Sequence, residues 1–177
     1  MSFTPELRFY CFTNFYLSSI QHGVQTGHCA VDLVTKYLAL RGDPSTPKEH
    51  IDAVTEWATK HKTFIILNGG ELTNMSGPLL ETVKNSNFPW ATFNEDAGLG
   101  NILTAVGVVL PEYIFDVEPW DESYCPDNSG IRVMTGKKGW RYRKPENLGG
   151  VELVYSERNA PNAFNLINAI KGAGLAR

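Results

Sequence analysis

The chain has 177 residues, 42% of them hydrophobic and 11% aromatic, which supports one globular core and excludes a disordered chain. A formal net charge of −3 and an isoelectric point near 5.8 argue against an extended nucleic-acid surface, while leaving room for a local basic patch. Cys11, Cys29 and Cys125 are odd in number and lack metal-ligand spacing, so neither a disulfide framework nor a zinc knuckle is indicated. Met1 to Arg8 carries no charged-then-apolar secretion signal, and no apolar run nears the ~18 residues of a membrane span. These features lead to the expectation of a cytoplasmic protein without a membrane partner.

Leu7 to Thr13 (LRFYCFT) reads as a buried strand. Ser18 with Gln21 fits a capping box, so a helix starts near Ser19 and runs to Arg41-Gly42. Within it Ile20, Val24, Gly27, Val31, Val34 and Leu38 recur at steps of four and three and predict its buried face. Thr46-Pro47 opens a short second helix with Ile51, Val54 and Trp57-Ala58 on one side. Thr63 to Leu67 (TFIIL) reads as a strand covered on both faces, followed by a turn at Asn68-Gly69-Gly70. Leu72 to Val83 is helical but broken at Gly77-Pro78. Trp90 to Phe93 is a short strand leading into an acidic turn, and Leu103 to Leu110 is a third apolar strand stopped by Pro111.

This order predicts an α/β fold over a single domain, residues 1–177, with a mixed, mostly parallel four-stranded sheet and helices on both faces. Residues 111–177 form an extension to the 7–110 core. Ile131 to Arg143 reads as a hairpin around Gly136 to Gly139, Val151 to Tyr155 adds a strand, and Asn162 to Ile170 closes the chain as a helix. Phe164, Ile167 and Ile170 share one face of that last helix.

Three constellations are candidates for function. Gln21, Gln25, His28 and Asp32 form a polar stripe on the first helix, whose amides and imidazole could line a pocket and bind base edges, ribose hydroxyls or phosphates. The competing reading is a solvated helix face, with His28 and Asp32 as an i, i+4 pair. The amides from Ser19 to His22 offer an anion site at the helix start, in competition with the capping box. Lys137, Lys138, Trp140, Arg141, Tyr142 and Arg143 interleave cations with aromatics, which suits a phosphate-bearing ligand with a stackable base, or simply an exposed hairpin tip. His22, His28, His50 and His61 have no spacing that recommends a metal site, and no cofactor motif is present.

Val24 to Val31 (VQTGHCAV), Glu95 to Gly98 (EDAG) and Thr104 to Gly107 (TAVG) occur in that order after a first strand. In this the chain resembles the type 2 peptidyl-tRNA hydrolase family and its looser relatives, some of them in phage genomes. The family carries a V-A-A-Q-C-S-H-A stretch, a Q-D-A-G turn and a T-V-L-G strand at the corresponding places. The resemblance covers residues 7–110 and implies the fold more firmly than the chemistry. Asp96 and Thr104 match the family's carboxylate and hydroxyl, but Gly23 stands where the family has a lysine. Gly27, His28 and Ala30 replace its Gln, Cys and His. The loop between Asp96 and Thr104 is also shorter than the family's.

An active enzyme would therefore rely on Asp96 and Thr104, with His22 in place of the missing cation. The favoured expectation is instead non-catalytic binding or sequestration of a nucleotide-like ligand, a nucleotide signal or an RNA end. In a phage setting that would be a form of counter-defence. The alternative is an active peptidyl-tRNA hydrolase or related esterase acting on the tRNA 3′ end. Homo-oligomerisation is compatible with both.

Overall fold

The computed structural model describes residues 5–115, 117–121, 138–142, 153–156 and 160–176. At the middle of the main sheet lies Leu103–Pro111 (β4), buried at every residue except its last. Its Val and Leu side chains suit a strand covered on both faces. Leu7–Thr13 (β1) flanks it on one side and Trp90–Asn94 (β3) on the other, both antiparallel to it. Thr63–Asn68 (β2) then pairs in parallel with β1, giving the order β2-β1-β4-β3.

Alternation along the strands feeds two cores. Phe9, Cys11, Ala105 and Val109 meet the helices Ser19–Ala39 (α1) and Lys48–Glu56 (α2), the latter extended by a π-helical turn at Trp57–His61. Tyr10, Phe12, Val106 and Val108 point the other way, toward Met75, Leu79, Val83 and the closing helix Pro161–Gly172 (named α5 below). Each fully buried Val, Leu or Phe contributes about 1.5–3 kcal/mol. Between β2 and β3 the chain is helical in three pieces: Leu72–Asn74 (α3), a π-turn at Met75–Leu79 and Leu80–Lys84 (α4). Gly77 leaves helical geometry directly before Pro78, as the Gly-Pro break predicts. A second antiparallel sheet is formed by Glu118–Asp121 (β5), Lys138–Tyr142 (β6) and Leu153–Ser156 (β7), with β6 in the middle. No helix among the described residues is long and apolar enough to cross a membrane.

The α/β class, the single domain, the mixed four-stranded sheet and helices on both its faces are as expected. Four expectations are corrected. The sheet is mixed but not mostly parallel: one pair is parallel and two are antiparallel, and β3 and β4 follow one another as a hairpin-like pair with only a short 3-10 turn, Ala97–Leu99, between them, too short for a parallel crossover. β2 is an edge strand, and Phe64 is 43% exposed on it. Lys138 and Gly139 lie inside β6, paired with Asp121 and Trp120, so they are not the tip of a hairpin; the rest of the predicted turn and Ile131 to Lys137 lie outside the described residues.

The largest correction concerns α1. Ile20, Val24, Val31 and Leu38, predicted as its buried face, are 81%, 48%, 64% and 48% exposed. The sheet instead takes His22, Gln25, Thr26, Cys29, Ala30, Leu33 and Tyr37. Small side chains at Cys29 and Ala30 let the helix approach the strands, and Cys29 Sγ donates to Ala91 O. The polar residues on this face are each hydrogen-bonded, so burying them costs little.

Candidate functional site

β1 and β2 run parallel and end side by side in polar residues, Thr13-Asn14 and Asn68-Gly69-Gly70. Their ladder continues into the loops: Gly69 N donates to Thr13 O at 2.8 Å and Phe15 N to Gly70 O at 3.1 Å. Gly70 has φ +77°, a conformation that L side chains rarely adopt, and Asn68 Oδ1 accepts from its N–H at 2.8 Å. The carboxyl ends of parallel strands are where open α/β sheets commonly place a ligand.

A cleft of about 620 Å³ opens there, lined by Phe15, His22, Asn68, Gly174, Leu175 and Ala176. One wall is the end of the chain. Asn68 N donates to Gly174 O, Ala176 N donates to Ile66 O, and Leu175 bridges Leu67 in antiparallel fashion. A second cleft of about 390 Å³, sharing Asn68 and Gly174, lies toward Asn74, Thr82 and Gly172.

His22 reaches the first cleft from the second turn of α1. Its Nδ1 lies 2.7 Å from Thr13 Oγ1 in a buried contact, and Thr26 Oγ1 donates back to its carbonyl. The ring is 5% exposed, and its Nε2 hydrogen-bonds none of the described residues. Burial pushes its pKa below the ordinary histidine value. At the rim Phe15 is 41% exposed and Tyr16 73% exposed, their rings 3.9 Å apart between centroids. Asn14 Oδ1 accepts from Tyr16 N and holds this pair in place.

Beside this cleft a buried polar relay crosses from α1 to β4. Thr104 Oγ1 donates to Gln25 Oε1 or to Phe93 O, both at 3.4 Å, and Gln25 Nε2 donates to Glu95 Oε1 at 2.5 Å. Asn14 N bonds Thr104 O, which joins the relay to the end of β1.

No family model and no curated protein matches the chain. The site is therefore read from its own geometry. The predicted residues fall into three groups. His22, Gln25 and Thr104 lie together around the ends of β1 and β4. The predicted stripe is dispersed: Gln21 closes the capping box with Ser18, His28 stacks on Phe93 at 4.6 Å and 17°, and Asp32 is exposed. No ion pair joins His28 to Asp32 among the described residues, because the ring prefers the flat aromatic surface of β3. Ser19 is exposed at the helix start, where the capping box is formed in both directions and competes for the same donors.

Asp96 is exposed in the turn after β3, where its carbonyl accepts from Asn101 N. Neither it nor Thr104 lines the His22 cleft. Burial lowers the His22 pKa, which works against the cationic role expected of it in place of a lysine. Lys138, Trp140, Arg141 and Tyr142 are in β6, and Lys137 and Arg143 lie outside the described residues. Among the described residues no cluster of three or more His, Cys, Asp or Glu side chains is arranged for a metal.

Thr13, Asn14, Phe15, Asn68 and the Gly174–Ala176 wall were missed by sequence reasoning. A signal existed for Thr13, Asn14 and Asn68: amide and hydroxyl residues close two apolar strands. Nothing local in Gly174-Leu175-Ala176 marks it as an added strand.

Proposed function

We infer that the protein binds a nucleotide-like ligand without turning it over, and that the heteroaromatic base sits in the cleft at the carboxyl ends of β1 and β2. One observation carries this reading: a buried His22, anchored by Thr13 and with its pKa lowered by burial, shares a cleft with Phe15 and Asn68, and among the described residues no Asp, Glu, Lys or Arg side chain lines it. An imidazole edge and an amide match the donors and acceptors of a base, and an exposed phenyl ring offers a stacking surface. Asn68 Nδ2 donates to none of the described residues and so remains a donor for the ligand.

Hydrolysis of an ester needs a positioned base and donors for the developing oxyanion around one point. Asp96 stands exposed outside this cleft, while the Thr104 hydroxyl is already engaged. Retention of a ligand as in sequestration suits such a site better than turnover. The kinship with type 2 peptidyl-tRNA hydrolases, and a role for the 137–143 segment in gripping phosphate, belong to this same proposal.

The test combines binding with turnover. Calorimetric titration with the four ribonucleoside 5′-monophosphates should give saturable one-site binding for at least one of them, weakened at least tenfold by Phe15→Ala. Excess N-blocked aminoacyl-tRNA should stay intact during prolonged incubation with the protein. Multiple-turnover release of free tRNA, abolished by Asp96→Ala, would overturn the reading.

A further inference from the structure

The exposed apolar residues of α1 are not scattered. Ile20, Val24, Val31 and Leu38, with the exposed Gly27 and the half-buried Val34, follow steps of 4, 3, 4, 3 and 4 residues, the a/d repeat of a helix that packs against another helix. His22, Cys29 and Lys36 occupy the opposite side of that repeat, and these are the positions turned toward the sheet. One face of α1 is thus spent on its own fold, and the outward face carries a continuous seam about 30 Å long. An unbroken apolar stripe of that length is unusual on a monomer's surface.

We propose that α1 is a self-association surface, pairing antiparallel with α1 of a second copy of this chain about a twofold axis near Cys29. The charge pattern selects the partner. The exposed flanking positions Gln21, Gly23, His28 and Thr35 carry no carboxylate, ammonium or guanidinium, while Ala30 and Tyr37, the other two flanking positions, are turned into the protein's own core. In an isologous pair each flank meets its own copy, so a charged flank would repel itself, whereas a foreign partner is usually selected by opposite charge.

The direction follows from Gly27. A parallel pair would set Gly27 against Gly27 and leave an empty layer. The antiparallel pair sets Gly27 against the partner's Val31, Val24 against the partner's Val34, and Ile20 against the partner's Leu38, so every layer is filled. A Cβ at Gly27 would have nothing within 4 Å, so the space above it is open to the entering Val side chain. Alongside the seam, a mostly apolar cleft of about 480 Å³ between Val31, Val34, Trp57 and the exposed Phe64, with Lys62 as its one charged lining residue among those described, extends the surface a partner can cover.

Sedimentation equilibrium of the full chain from about 1 to 300 µM tests this, together with disulfide trapping. The expected mass approaches two chains at the upper end. Val31→Glu, at a 64% exposed position, should keep the melting temperature that the wild type shows at dilutions where it is monomeric, while raising the dissociation constant at least ~100-fold, since each substitution enters the pair twice. The double variant Ile20→Cys/Leu38→Cys should form an intermolecular 20–38 bridge, located by peptide mass mapping. Ile20→Cys alone should not bridge 20 to 20, because antiparallel pairing holds those positions about 27 Å apart along the axis. A one-chain mass throughout the range, a dimer indifferent to Val31→Glu, or a 20–20 bridge would each overturn the proposal.

Discussion

Because Thr13 holds the Nδ1 of His22 at 2.7 Å inside the core, the imidazolium loses its hydration on folding and no acid among the described residues repays it. The folded protein therefore binds this proton more weakly than the unfolded chain does. The stability tied to neutral His22 is fully present above its ordinary pKa of about 6.5 and is lost as the pH falls through the depressed folded value. Denaturant titrations across this window should show stability declining toward acid, and His22→Gln should flatten that dependence. His22→Ala should also cost about 1–3 kcal/mol at neutral pH by leaving the Thr13 hydroxyl with only its long 3.4 Å bond to Leu67 O. The histidine was visible in the sequence as a candidate, but its role was not. Only the fold shows that its ring is buried and anchored to a threonine nine residues earlier.

The elements themselves were largely legible. Strong signals such as the Ser18–Gln21 box, the Gly42 stop at φ +88°, the Gly77-Pro78 break and the apolar run of β4 act locally, and all appear where expected. The face of α1 was not legible, because two stripes compete on it. The more hydrophobic one faces outward, and the sheet accepted the stripe whose polar members find partners. Periodicity reports that a face is apolar without saying what covers it. At Gly107 the physical reason is likewise tertiary: a Cβ there would lie 2.1 Å from Phe9 Cζ, against a ring packed on Trp57. Gly107→Ala should destabilise the protein by about 2–3 kcal/mol, measured by chemical denaturation, since the fully buried Phe9 has little room to yield. A wild-type midpoint in that variant would contradict the packing described here.

At the level of the molecule, the cleft is assembled from parts far apart in sequence: the end of β1, the end of β2, the second turn of α1 and the last residues after α5. No window of sequence contains such a site, and the antiparallel addition of Leu175 to β2 depends on where α5 delivers the chain. Ending the chain at Ala173 should therefore leave the two cores and cooperative unfolding intact while lowering nucleotide affinity at least tenfold, as read by calorimetry. The most direct measurement of the central claim is histidine side-chain NMR of the full protein during titration with a ribonucleoside 5′-monophosphate. The account predicts saturable shifts of the His22 ring resonances, with those of His28, stacked on Phe93, unchanged. Saturable shifts at His28 with His22 unmoved would place the ligand elsewhere and contradict it.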